Sequence, residues 1–186
     1  MPSITSAKIL IMSADGFEQS ELEHPRDALR KHGATVHIAT PDGDDIKGWD
    51  ENDWGRTAQS DMKITDVDVA AYNALVLPGG QINPDLLRVN KDAVDLIKRF
   101  GASGKTIAAI CHAPWLLIEA GLIEGRKATS FHSIQTDVKN AGAKWEDSEV
   151  VVDQGIVTSR SPEDLEAFVA KIVEEIEEGA HDRDVA

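Results

Sequence analysis

Cysteine is almost absent from this sequence: Cys111 stands alone among 186 residues, so no disulfide can form within the chain. A lone thiol is either a small buried hydrophobe or a reactive group, and composition does not choose between the two. Long apolar runs are missing too; none approaches the roughly 18 residues that a membrane span requires. The segment Met1 to Ser13 has no small-residue cleavage site and reads as a leader into a strand, not a signal peptide, which points to the cytoplasm. Basic residues are scarce, 19 Lys and Arg against 33 Asp and Glu, and the net charge is -14. Such a surface repels phosphate backbones and argues against nucleic acid as a partner. The six histidines show no paired ligand spacing, so no metal is expected. Gly79-Gly80 lacks the further glycines of a nucleotide-binding loop, and no cofactor is expected either.

What is present is a rhythm. Short β-branched or aliphatic runs (Lys8 to Ser13, Thr35 to Ala39, Ala74 to Pro78, Thr106 to Ile110) alternate with amphipathic stretches over 18–32, 91–100 and 115–120. Further along, Lys127 to Ser130 reads as a short strand and Ile134 to Asn140 as a helix. Val150 to Val152 and Gly155 to Thr158 read as a hairpin turning at Asp153-Gln154. A last helix is expected to start on Ser161 as N-cap, with Pro162 at its first position, and to run to about Glu178. From Asp182 the chain reads as a frayed polar tail. Strand alternating with helix implies parallel strands with right-handed crossovers, an α/β three-layer sandwich with a mainly parallel central sheet. Length and the lack of a linker predict one domain, 1–186, with its core at about 8–178.

In open α/β sheets ligands bind beyond the carboxyl ends of the strands. Three segments deliver useful chemistry there: Asp15-Gly16-Phe17-Glu18, Gly79-Gly80, and Cys111-His112-Ala113-Pro114. A cysteine on a tight strand-to-helix turn exposes its sulfur near free amides of the helix start, which favour the thiolate. Backbone N–H groups of Gly80 and His112 could converge as an oxyanion hole. Each feature alone also has a bland reading: a buried Cys, a packing His, an acidic helix start at Glu18.

Together these residues resemble a known family. Ala109-Ile110-Cys111-His112-Ala113-Pro114, Leu77-Pro78-Gly79-Gly80 and Asp15-Gly16-Phe17-Glu18 are similar to the PfpI family of cysteine peptidase-like proteins. So are Gly121-Leu122-Ile123, Thr136-Asp137 to Ala143, and Val150 to Arg160. That family shares a superfamily with the class I glutamine amidotransferases. The resemblance implies a flavodoxin-like fold with Cys111 as nucleophile, Glu18 as the carboxylate on the thiol, and His112 as the adjacent imidazole. In peptidase members an acid from a neighbouring subunit completes the imidazole. Its position here is Asp85, one methylene shorter than the Glu those relatives carry. His132 stands where many relatives have Pro and is a candidate second imidazole in the pocket. The Trp49 to Gly55 loop resembles the bacterial stress-protein branch.

Two functions follow from this reading. One is a stress-related cysteine hydrolase or lyase acting on small carbonyl compounds, glycated adducts or peptides. The other is a non-catalytic redox or stress protein, chaperone-like in a weaker variant, whose Cys111 is reversibly oxidised. An acid donated by another chain requires at least a dimer, with Trp49 and Trp54 as candidate contacts.

Overall fold

The computed structural model describes residues 2–183. Its strands are β1 (Lys8–Met12), β2 (Phe17–Glu18), β3 (Thr35–Thr40), β4 (Ile46–Asp50), β5 (Asp53–Ala58) and β6 (Met62–Lys63). They continue as β7 (Ala74–Leu77), β8 (Thr106–Ile110), β9 (Lys127–Ala128), β10 (Lys144–Trp145), β11 (Val150–Asp153) and β12 (Ile156–Ser159). The helices are α1 (Gln19–Lys31), α2 (Ile82–Arg88), α3 (Lys91–Ala102), α4 (Pro114–Glu119), α5 (Gln135–Asn140) and α6 (Leu165–Glu178). Seven strands form the central sheet in the order β11-β12-β8-β7-β1-β3-β6, all pairs parallel except β11 with β12.

Side-chain alternation divides the core into two layers. Leu10, Met12, Leu75, Leu77, Ile107 and Ala109 face one way, against α2 to α5. Ile9, Ile11, Ala74, Val76, Ala108 and Ile110 face the other, against α1 and α6. Both faces are therefore covered, which is why the central strands read as unbroken apolar runs instead of alternating ones. The expected α/β three-layer, flavodoxin-like arrangement is what the chain adopts.

Chain direction reverses beside β1: the chain steps to β3 on one side, then returns to β7 on the other. The loops leaving β1 and β7 diverge there and open a crevice. Asn83, fully buried, bridges the two loops. Its Oδ1 accepts the Ala14 N–H at 2.7 Å, and its Nδ2 donates to the carbonyls of Pro78 at 2.9 Å and Gly79 at 3.2 Å. Over the crevice stands a small sheet, β2-β4-β5, whose hairpin sets Trp49 opposite Trp54 with their rings 5.5 Å apart.

Three local expectations are corrected. The β11–β12 hairpin turns on Gln154-Gly155, one residue later than expected. Both residues have positive φ, 49° and 73°, the geometry that two-residue hairpin loops prefer. Ser161 makes no side-chain capping bond; a 3-10 turn over Pro162–Asp164 precedes α6, and the Asp164 carboxylate instead binds Arg160 at 2.9 Å. The tail is anchored at Arg183, and residues 184–186 lie outside the described part. The buried Arg183 guanidinium donates to the carbonyls of Gln154 at 2.6 Å, Lys105 at 2.6 Å and Gly104 at 3.3 Å. One guanidinium thus serves three carbonyls drawn from two separate turns. Arg183→Ala should therefore destabilise the chain by about 2–3 kcal/mol and lower the Tm by about 5–10 °C. Denaturant unfolding and a thermal scan measure this, and an unchanged midpoint would return the tail to a frayed end.

Candidate active site

Cys111 follows β8 directly and takes φ 64°, a left-handed conformation that costs a non-glycine residue about 1–3 kcal/mol. Two bonds hold it there: its N–H donates to the Ser159 carbonyl at 3.0 Å, and its carbonyl accepts the Phe131 N–H at 2.8 Å. The strained turn throws the sulfur out of the strand direction toward the crevice, while the residue stays only 6% exposed. The amides that face the sulfur are those of Gly80 and His112, the pair expected from the sequence. Gly80 can reach it because it has no Cβ: one would sit 2.5 Å from the Gly16 carbonyl and 2.7 Å from the Glu18 nitrogen.

The carboxyl group at the thiol belongs to Glu21, not Glu18. Glu21 lies in the first turn of α1 and is fully buried. Its Oε2 accepts the Gly79 N–H at 2.8 Å. Its Oε1 is buried without a nitrogen or oxygen partner and the carboxyl faces the Cys111 sulfur. Glu18 sits one turn earlier, half-buried, where α1 begins, and lines the mouth of the crevice. One helical turn separates the two glutamates, and the inward-facing position belongs to Glu21. A signal for this was present. Glu21 falls on the stripe of Leu22, Pro25 and Leu29, the buried face of α1, and a carboxylate on such a stripe needs a special partner.

Burial, followed by the charge of Glu18, pushes the Glu21 carboxyl up to about 8, so it is protonated at neutral pH. Burial, and a charge on Glu21, push the Cys111 thiol up as well, against the pull of the Gly80 and His112 amides. The expectation of a thiolate favoured by helix amides is therefore corrected: α4 begins only at Pro114, and the groups that face the sulfur are the Gly80 and His112 amides and the Glu21 carboxyl. A neutral Glu21 removes the repulsion and becomes an O–H donor to sulfur, so the two groups titrate as a pair.

His112 is buried and its Nδ1 lies 3.1 Å from the Cys111 sulfur. Its Nε2 lies 3.1 Å from the Ser133 hydroxyl, a partner the sequence reading did not single out. Burial, and then the His132 charge, push its pKa down to about 4. One neutral tautomer satisfies both contacts, with Nδ1–H donating to sulfur and Nε2 accepting from Ser133. Phe131 stacks on the ring at 4.9 Å and Trp115 meets its edge at 5.2 Å. Asp85 is exposed on α2, and among the described residues no carboxylate of this chain bonds the imidazole. His132 is exposed beside Phe131 and lines a neighbouring depression with Arg160 and Pro162, not the crevice over Cys111.

The crevice holds 470 Å³ and is walled by Trp49, Phe131, Ile82 and Pro162, with Cys111, His112 and Glu21 at its floor. One other cluster could ligate a metal among the described residues, Glu175, Glu178 and His181. It lies at the end of α6, where the His181 N–H donates to the Gly104 carbonyl at the amino edge of the sheet.

A buried, protonated Glu21 has a thermodynamic consequence. The folded chain holds that proton to about pH 8, whereas the unfolded chain releases it near 4.5. Between these values the native state carries the extra proton, so this contribution to stability falls as pH rises. His112 acts oppositely between about 4 and 6.5, where the unfolded chain carries the extra proton and stability rises with pH. Glu21→Gln should cancel the first effect alone. The unfolding free energy of the variant minus that of wild type should rise by about 2–4 kcal/mol from pH 5 to 8. Denaturant titrations at each pH measure it, and a flat difference would contradict a neutral Glu21.

Comparison with known proteins places this geometry. The sequence pattern of the DJ-1/PfpI family matches residues 7–175. The chain is 45% identical over 166 residues to the deglycase TK1284 of Thermococcus kodakarensis, covering 89% of this chain and 97% of that one. It is 44% identical over 165 residues to protein/nucleic acid deglycase 2 of Escherichia coli, covering 88% and 94%. The crystal structure of Drosophila melanogaster DJ-1beta superposes with a TM-score of 0.83 at 29% identity, over 93% of this chain and 95% of that one. With the family pattern spanning the sheet, the elbow and both glutamates, this chain belongs to the DJ-1/PfpI family.

Proposed function

We propose that this protein is a cysteine-dependent hydrolase or lyase of small carbonyl compounds and their glycated adducts, with Cys111 as nucleophile. One observation carries the reading: the Cys111 sulfur, on a strained elbow, meets two backbone amides, an imidazole and the Glu21 carboxyl at the floor of one crevice. Relatives named deglycases, at 44–45% identity, support it.

The chemistry follows from the proton inventory. Cys111 first loses its S–H proton to solvent; the thiolate then adds to the aldehyde carbon of an α-oxoaldehyde, an S–C bond forms and the carbonyl π pair moves onto oxygen. The Gly80 and His112 amides, already aimed at the sulfur, hold the negative charge as it moves from sulfur to the carbonyl oxygen. Glu21 gives its proton to that oxygen, and no atom is lost at this stage. Neutral His112 and the now charged Glu21 are the bases available for the proton on the former aldehyde carbon. Returned to the neighbouring ketone carbon, while the hydroxyl proton passes to the ketone oxygen, that proton leaves a thioester; water breaks its C–S bond to give a 2-hydroxy acid and the thiol, and the acid's proton restores neutral Glu21. Peptide cleavage is the poorer fit: the leaving amine needs a charged imidazole, and His112 is held neutral by its burial with Ser133 as its partner.

Cys111→Ser should abolish methylglyoxal consumption. Glu21→Gln should lower kcat by about 10²–10⁴-fold, the usual range for a lost proton-transfer group, whereas Glu18→Gln should act mainly on KM. Equal losses in both glutamate variants would overturn the roles given to them.

Self-association belongs to the same proposal. Ile82, Leu86 and Val89 are exposed by 38%, 47% and 80% and share one face of α2 at helical spacing, next to Asp85 and the crevice. A second copy covering this stripe would bring an acid toward the imidazole, while Trp54, 44% exposed, is the further candidate contact. Light scattering should show a dimer or larger species for the native chain and a monomer for Leu86→Glu with Val89→Glu. A native monomer would remove the assembly from the proposal.

A further inference from the structure

The proposed reaction opens with the loss of a proton from a sulfur that is only 6% exposed. The groups beside it are poor acceptors. Glu21 already holds its own proton, pushed up to about 8 by its burial. Burial, and then the His132 charge, push the His112 imidazole down to about 4, so a lasting imidazolium is costly. A substrate seated over the sulfur closes the crevice as a way out. The proton needs a path that leaves no charge behind on the ring.

Such a path starts at the imidazole. Its Nδ1 lies 3.1 Å from the Cys111 sulfur, and on the far side of the ring Nε2 lies 3.1 Å from the Ser133 hydroxyl. The ring is held between them: Phe131 stacks on it at 4.9 Å, and Trp115 meets its edge at 5.2 Å. Trp115 is fixed in turn, its indole N–H donating to Asp137 at 2.9 Å and the Arg88 guanidinium lying 5.0 Å from its ring. Ser133 belongs to the 3-10 turn His132–Ile134; it is exposed to solvent and does not line the crevice. Buried sulfur, imidazole and surface hydroxyl thus form one hydrogen-bonded chain from the crevice floor to the outside. A hydroxyl can donate and accept at once, which an ionised carboxylate in the same place could not do.

We propose that Cys111 loses its proton to solvent through His112 and Ser133, with the Ser133 hydroxyl as the exit. This rests on Cys111 as the reacting nucleophile and supplies the step that ionises it. In the thiol state the S–H donates to Nδ1 and the Nε2–H donates to the Ser133 oxygen. The sulfur proton moves to Nδ1, the Nε2 proton to the Ser133 oxygen, and the Ser133 hydroxyl proton to water or a buffer base. The electron pair of the S–H bond stays on sulfur. The imidazole ends neutral in its other tautomer, with Nδ1–H donating to the thiolate and Nε2 accepting from Ser133. No imidazolium forms, so the low basicity of the buried ring is no obstacle. Ser133 acts only through the ring and does not touch the sulfur.

This step can be timed without turnover of any carbonyl compound. Methyl methanethiosulfonate, small and uncharged, transfers its thiomethyl group to the thiolate with loss of methanesulfinate. As the reagent concentration rises, thiol loss should level off at the rate at which the proton departs. Ser133→Ala should lower that plateau about tenfold, less than the loss of a direct acid or base because water partly replaces the hydroxyl. Imidazole buffer should restore the plateau in this variant by taking the Nε2 proton itself, and Ser133→Thr should keep the native rate. A side chain that merely supported the ring would give a loss that buffer does not repair. An unchanged plateau in Ser133→Ala, a loss without buffer rescue, or no levelling in the native chain would overturn the proposal. Methylglyoxal consumption that survives Cys111→Ser would instead remove the catalytic reading and leave the measured proton path standing.

Discussion

One crowded point governs the carboxyl edge of the sheet: the space beside Gly79. A Cβ there would lie 2.4 Å from Glu21 Oε2, 2.6 Å from the Cys111 Cβ and 2.7 Å from the Ile110 carbonyl. Three segments distant in sequence are thus in contact with no intervening side chain. Gly79 donates to Glu21, Glu21 faces the sulfur, and Gly80 follows with its amide on the same atom. Asn83 locks the loop that carries both glycines onto the loop after β1. The strain at Cys111 persists because these neighbours over-determine it.

Protonation follows from the same crowding. A carboxyl removed from water beside a thiol favours its neutral form, since two negative charges so close are not both sustained. Glu21 is therefore an acid that can give a proton, and the sulfur gains a donor where it would otherwise meet a charge. His112 is pushed the other way by burial and stays neutral. The floor of the crevice is thus assembled from groups whose ordinary charges burial suppresses. Its rim, Glu18 and Glu51, reaches solvent, and the field above the sulfur comes from there.

Most of the frame was legible because central strands and helix faces follow periodicities that depend on local sequence. The β8 elbow was readable from Ile110-Cys111-His112-Ala113-Pro114, since an apolar strand followed by Pro leaves little room between strand and helix. Glu18 and Glu21 were harder. Motif position favours the residue nearest Gly16-Phe17, but the direction of a side chain depends on where α1 begins, and one residue rotates a helix by about 100°. Pro25 sharpens the point: it provides no N–H for the Glu21 carbonyl, the bond an α-helix would make there. Ser133 and Arg183 were invisible for a different reason, since their partners come from contacts across 21 to 82 residues of chain. Ser161 had the right composition for a cap, but Pro162 opened a 3-10 turn and Asp164 was drawn to Arg160.

The floor and the rim of the crevice differ in how freely their residues can change. Floor groups are backbone amides and side chains fixed by parallel strands packed on both faces, where a shift of one methylene is felt through the core. They leave little latitude. The rim comes from a hairpin tip, the first turn of α1 and the exposed start of α2, all at the surface, where substitutions cost little stability. Charge at Glu18, Asp50 and Glu51 can change without moving the Gly79 contact.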